Sequence, residues 1–267
     1  MKSEINVQAS YPEIDLTEAI RLVKSTKQFF SNTEMSSHIT KKGPADYVTE
    51  TDFSIQNFLR QNLLSAYPGI QFMAEEGGNS TPDFSGGYWV LDPVDGTTNL
   101  IHRFMHSAVS LALCFGDKVI GGIIYCPFTE ELFTASRGHG AFLNGVPIHV
   151  SAASSLRESL VSIGTTPYHR QHSDAVFDRM KKIFARCQDI RLIGSAAIEL
   201  AYVACGRTEA YVEQNLKPWD FAAGLLLIEE AGGRVCTFLG EQVLPYRPSD
   251  ILADNGLVEK ELLDLQL

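Results

Sequence analysis

A chain of 267 residues, 45% of them hydrophobic, is long enough for one large domain or two closely packed halves around a sizeable core. With 22 basic against 32 acidic residues the formal net charge is −10, and no basic stripe is present, which argues against binding to a nucleic-acid backbone. No apolar run reaches the roughly 18 residues of a membrane span. The opening Met1-Lys2-Ser3-Glu4 lacks a signal-peptide core. Cys114, Cys126, Cys187, Cys205 and Cys236 are odd in number, dispersed and without a Cys-x-x-Cys pair, so they read as free thiols of a soluble, cytoplasmic protein.

In chain order, two helices are expected first, over about 13–30 and 49–66. Thr49-Glu50-Thr51-Asp52 offers a capping arrangement for the second, and Ile55, Phe58, Leu59 and Leu63 recur at helical spacing. Tyr67-Pro68-Gly69 stops it, and a short strand, Ile70 to Met73, leads into Glu75-Glu76-Gly77-Gly78. The apolar run Tyr88-Trp89-Val90-Leu91 reads as a strand that breaks into a tight turn at 92–99. Strands then follow at Ser107–Phe115 and Val119–Tyr125 (joined by Gly116-Asp117), at Glu131–Ala135, and at Gly138–Val150 with a hairpin at Asn144-Gly145. Consecutive hairpins argue for an antiparallel sheet flanked by helices. Beyond Ser151-Ala152-Ala153-Ser154-Ser155 the pattern alternates: strand 160–163, helix 173–186, strand 190–193, helix 195–205, strand 208–213, helix 219–231, strand 234–237 and a last strand near 250–253. Two halves, 1–150 and 151–267, are expected to pack tightly across that seam. The fold class is α/β, layered.

Residues 92–99, Asp92-Pro93-Val94-Asp95-Gly96-Thr97-Thr98-Asn99, hold the densest chemistry. Pro93 biases Asp92 toward extended geometry, and Gly96 lets the backbone approach a ligand. Two carboxylates forced together repel unless a cation lies between them, and hard divalent cations prefer carboxylate, water and phosphate oxygens. Asp-Pro and Asp-Gly are also ordinary turn dipeptides. Glu75 and Glu76 at a strand end could equally be solvated surface, and Asp52 and Asp220 could merely cap helices. Their combination at several element junctions favours a metal-loaded phosphate site.

Glu75-Glu76, the run Asp92 to Asn99, and Trp219-Asp220-Phe221-Ala222-Ala223-Gly224 resemble the signature segments of the inositol monophosphatases, lithium-sensitive Mg²⁺-dependent sugar phosphatases. The resemblance extends from about residue 42 to Glu230-Ala231-Gly232-Gly233. It implies an alternating αβαβα sandwich, usually a homodimer, with two or three Mg²⁺ per site. It further implies metal binding by Glu75, Asp92, Asp95, Asp220 and the Val94 carbonyl. Thr97 would polarise the attacking water with support from Asp52, alongside Glu75, and Gly96 and Thr97 amides would hold phosphate. Asp95, Gly194, Ser195, Ala196, Glu213 and Asp220 fall where the family meets its substrate. Ala74 stands where many relatives have Gly.

The expected activity is hydrolysis of myo-inositol monophosphate or a similar small polyol phosphate. Relatives acting on fructose 1,6-bisphosphate or histidinol phosphate are the alternatives, and a non-catalytic binding protein on the same scaffold is a third. A bisphosphate needs a second cationic pocket, for which Arg170, Arg191 and Lys217 are the candidates. Thr98 stands where 3′-phosphoadenosine phosphatases usually carry Lys. His102 and His106, four apart, could share a helical face, but no third zinc ligand lies near them in sequence. No Gly-rich nucleotide loop is found.

Overall fold

The structure, a computed structural model, describes residue 12 and residues 14–32, 34–43, 45–77 and 82–267. The N-terminal tetrapeptide, residue 13 of the first expected helix and Gly78 lie outside the described residues. Helices α1 (Thr17–Ser25) and α2 (Lys27–Phe30) precede a hairpin of β1 (Ile39–Gly43) and β2 (Asp46–Thr49), then α3 (Glu50–Ala66). Next come β3 (Gln71–Ala74), β4 (Gly87–Asp95), α4 (Thr97–Ile101), β5 (Ala108–Phe115), β6 (Lys118–Cys126), β7 (Glu131–Ser136), β8 (Ala141–Leu143) and β9 (Val146–Ile148). The remainder is β10 (Leu160–Ile163), α5 (Ser173–Phe184), β11 (Asp189–Arg191), α6 (Ala196–Ala204), β12 (Ala210–Leu216), α7 (Pro218–Glu230), β13 (Arg234–Cys236), β14 (Ser249–Asp254) and α8 (Glu259–Leu263).

Strands β3 to β9 form one sheet in sequential order, antiparallel except for the parallel β3–β4 pair. A second sheet has the order β11-β10-β12-β14-β13 and mixes parallel and antiparallel pairs. The period of two along β4 sorts its side chains between layers. Trp89 and Leu91 join the α1 and α3 side chains Leu22, Val23, Ile55 and Leu59 on one face. Tyr88 and Val90 face α6 and α7 on the other. Those two helices also meet Tyr211 and Ile251 of the second sheet, whose far face is covered by Met180 and Ile183 of α5 and Leu262 of α8. Five layers result, αβαβα.

Small residues make the middle layer thin. A Cβ on Gly122 of β6 would lie 2.8 Å from the Ala223 carbonyl, and one on Gly224 would lie 2.6 Å from Leu200. Helix α7 therefore rests backbone-close on the first sheet and on α6, which Ala196, Ala197, Ala201, Ala222 and Ala223 also permit. All five cysteines are free, and Cys114, Cys126 and Cys236 are buried. Among the described residues no helix is long and apolar enough to cross a membrane.

Two expectations are corrected. The segment 39–48, given no element above, forms with Thr49 a two-stranded hairpin; its β1 side chains Ile39 to Lys42 are exposed, so they carry no buried alternation to read. The strand at 88–91 does not break at Asp92. It runs to Asp95 with every residue buried, and the ladder with β5 slips between Asp92↔Ser110 and Asp95↔Ala108. One extra residue on β4 makes a bulge there, and Pro93, which has no N–H for the ladder, is tolerated at such a position. The hairpins at Gly116-Asp117 and Asn144-Gly145 form as expected, with Gly116, Asn144 and Gly145 at positive φ.

Candidate active site

Chain segments far apart in sequence deliver acids to one point. Asp92 and Asp95 come from the bulged end of β4, and Asp220 is the third residue of α7. Acceptor oxygens of these three lie within 4.8 Å of one another. Each carboxylate is aimed by the local backbone. Asp92 Oδ1 accepts from its own turn at Val94 N (2.9 Å). Asp220 Oδ2 accepts from Lys217 N at the start of α7 (2.7 Å), the reach-back bond of a capping box, with Pro218 as the first helical residue. Asp95 Oδ2 accepts from the Ser195 hydroxyl (2.5 Å) and from Ala197 N (2.7 Å), so the first turn of α6 is directed at it.

Glu75 follows β3 and stays alongside β4 through its N–H to the Leu91 carbonyl (3.2 Å). Gln56, buried on α3, grips the next peptide from both sides. Its Nε2 donates to the Glu76 carbonyl, and its Oε1 accepts from Glu76 N (3.0 Å). Lys42 of β1 reaches the Glu75 and Glu76 carboxylates. Neither Gln56 nor Lys42 is in the set expected from sequence. A polar residue between Ile55 and Leu59 on a buried helix face was the available signal for Gln56.

Asp52 makes two sets of contacts at once. Its Oδ2 accepts from Thr49 N (2.9 Å) and the Thr49 hydroxyl (2.5 Å), capping α3, while its Oδ1 accepts from the Thr97 hydroxyl (2.9 Å). The same hydroxyl lies 3.0 Å from the Val94 carbonyl. Gly96, at φ +86°, turns the chain from β4 into α4; its Cβ would lie 2.9 Å from the His106 carbonyl and 3.3 Å from that of Gly194. Asn99 Nδ2 ties the same two loops, reaching His106 O (2.7 Å) and Ile193 O (2.8 Å).

The positions that the resemblance puts on the substrate side differ in depth. Gly194 is exposed, Ser195 caps α6 and faces Asp95, and Ala196 opens that helix. Glu213 sits deeper on β12, accepting from Thr166 N (2.9 Å) and from the Tyr211 hydroxyl, with its carboxyl packed over Gly164. The ring of His106 bonds the Phe104 carbonyl (2.7 Å) and stacks near Phe104.

Burial is the largest electrostatic influence throughout. It drives Asp92 well above the ordinary carboxylate range, with Glu75, Asp95 and Asp220 adding to the rise, and it raises Asp220 likewise. Burial pushes Asp52 and Asp95 up to about 6 and Glu75 to about 7, against hydrogen bonds that pull the first two back and Lys42, which pulls back Glu75. Buried carboxylates converging with so little compensation need a cation, and an all-oxygen donor set suits a hard one such as Mg²⁺. The residues fit the metal.

Residues 9–266 match the sequence profile of the Inositol monophosphatase family. The chain belongs to that family. Among relatives, an inositol-1-monophosphatase of Rhizobium meliloti is 40% identical over 195 residues, 73% of each chain. Nus factor SuhB of Salmonella typhimurium is 36% identical over 251 residues, 93% of this chain and 94% of the other. The crystal structure of the extragenic suppressor protein SuhB from Bartonella henselae superposes with a TM-score of 0.88 at 33% identity, covering 94% of this chain and 97% of that one. Two further family structures hold ligands. An IMPase/NADP phosphatase is complexed with Mg²⁺ and phosphate (TM-score 0.81, 26% identity, 94% and 95% covered), and a Staphylococcus aureus inositol monophosphatase is bound to inositol monophosphate (0.80, 28%, 92% and 91%). The family places this chain among phosphatases.

Proposed function

We propose that this protein is a Mg²⁺-dependent phosphomonoester hydrolase that releases phosphate from myo-inositol monophosphate or a similar small polyol phosphate. The observation that carries the reading is the meeting of Asp92, Asp95 and Asp220 oxygens within 4.8 Å. The ligands of the two family structures described above point the same way. Asp92, Asp95, Asp220, Glu75 and the Val94 carbonyl would hold Mg²⁺, which supplies charge neutralisation on the phosphoryl oxygens and acidification of the attacking water.

The chain's own groups do the rest. A Thr97 hydroxyl whose proton is drawn toward Asp52 or Val94 O presents its lone pairs to a water and orients it for in-line attack. The backbone at Gly96 and Thr97 receives the phosphate. Water adds to phosphorus and releases one proton to solvent, the ester P–O bond breaks, and the departing alkoxide takes a proton from solvent. Ser195, Ala196, Gly194 and Glu213 line the leaving-group side. Arg191 is engaged by Asp189 (2.6 Å) and its neighbour's carbonyl, which takes one candidate cation away from a second phosphate and favours a monophosphate.

We further read the protein as a cytoplasmic homodimer, in which the exposed Phe104, Met105 and Leu192 on adjoining loops would be covered by a second copy. The test of function is phosphate release from a panel of inositol, hexose, histidinol and nucleotide monophosphates, with Mg²⁺ or with EDTA. Mg²⁺-dependent turnover, best on a polyol monophosphate and lowered about 10³-fold or more by Asp92→Asn, is expected. Turnover on none of the panel, or release indifferent to EDTA, would overturn the reading.

A further inference from the structure

Glu75, the acid at the end of β3, has a neighbour that Asp92, Asp95 and Asp220 lack. Glu75 Oε1 lies 3.0 Å from Lys42 Nζ, which also lies 2.7 Å from Glu76 Oε1 and 3.6 Å from Asp46 Oδ1. Of these carboxylates Glu76 is nearly buried, 4% exposed, so the contact is not an ordinary surface pair. The backbone places Lys42 there by a local device. The β1–β2 register runs from Lys41↔Tyr47 directly to Gly43↔Asp46, leaving Lys42 as the unpaired residue of a bulge. A bulge re-aims the side chain it carries, here toward the strand end of β3.

We propose that Lys42 is a built-in counter-ion for Glu75 and Glu76 in the metal-free enzyme, and that it competes with divalent metal for the Glu75 carboxylate. This rests on the reading of Glu75 as a metal ligand. An ammonium and a divalent cation drawn to the same carboxylate repel each other, so each weakens the other's hold on it. Metal at Glu75 therefore favours withdrawal of Lys42, and the hairpin that bears it is suited to move. It is a two-stranded ribbon of five and four residues with most of β1 exposed, the kind of element that opens at low cost. The consequence is a tax on metal affinity: the apparent dissociation constant is raised by the fraction of molecules in which Lys42 occupies the carboxylate. In return, the metal-free fold keeps two of its buried acids paired.

The test is Mg²⁺ titration by calorimetry on the full chain, wild type against Lys42→Met and Lys42→Arg, with thermal melts in EDTA. Lys42→Met should tighten the Mg²⁺ Kd by about 5- to 20-fold, the lower part of the range of an ordinary coupling between two ligands. It should also lower the melting temperature in EDTA, and Lys42→Arg should stay within about twofold of wild type on the same scale. An unchanged or weaker Kd in Lys42→Met would overturn the competition. So would an unchanged Mg²⁺ Kd with weaker binding of inorganic phosphate, which would assign Lys42 to the phosphate. Wild type and Lys42→Met separate the two levels of reading: wild type that binds no Mg²⁺ defeats the proposed function itself, whereas wild type that binds while Lys42→Met matches it defeats only this inference.

Discussion

Thr97 has one hydroxyl proton and two acceptors for it, Asp52 Oδ1 at 2.9 Å and the Val94 carbonyl at 3.0 Å. Whichever takes the proton, the oxygen lone pairs are turned away from the chain, which is what a water-orienting group requires. Thr97→Ala should therefore lower kcat about a hundredfold or more while leaving the Mg²⁺ Kd nearly unchanged, as read by phosphate release beside calorimetry. A kcat at the wild-type level would remove Thr97 from the reaction. At this scale sequence went a long way, because the residue types themselves are diagnostic: hard-cation chemistry demands carboxylates and the turn demands glycine. It could not decide between the two roles of Asp52. A cap and a partner for the Thr97 hydroxyl need the same residue at the same position, and the structure has Asp52 using one oxygen for each contact.

The element that carries most of the chemistry is β4 with the turn behind it. A regular strand would alternate Asp92 and Asp95 across the sheet, three positions apart and therefore on opposite faces. The bulge after Asp92 adds one residue and brings both carboxylates to the same side. Gly96 completes the device in a left-handed conformation, where a side chain would meet the His106 carbonyl at 2.9 Å. Gly96→Ala should cost about 1–3 kcal/mol, seen as a lower urea midpoint. A midpoint equal to wild type would mean that the backbone relaxes there without strain. Elements with a buried apolar face were readable from periodicity, as α3, α6 and α7 were. The β1–β2 hairpin was not, since its exposed, lysine-bearing strand has no such pattern, although it delivers Lys42 to the acids.

Across the whole molecule, folding concentrates charge that the unfolded chain keeps dispersed. Asp52 and Asp95 rise from 3.8 to about 6 and Glu75 from 4.5 to about 7, burial being the main cause in each. A raised carboxylate binds more protons folded than unfolded, so the stability it lends is complete below its unfolded value and is lost as pH climbs through its folded one. In EDTA the melting temperature should fall between about pH 5 and pH 7.5, and Mg²⁺ should restore more of it at the upper pH than at the lower. A melting temperature flat across that range would show that the acids are already compensated.

Sequence by itself determined the layered α/β class, the acid-rich segments at the element junctions and the membership of a phosphatase family, because periodicity and such motifs are local properties of the chain. Only the tertiary structure decided which acids meet, since Asp220 reaches Asp92 and Asp95 through the packing of a small-residue helix on the sheet. It alone revealed Gln56 clamping the Glu76 peptide and Lys42 paired with Glu75, contacts that depend on side chains brought together from separate elements. No spacing along the chain encodes a distance across it.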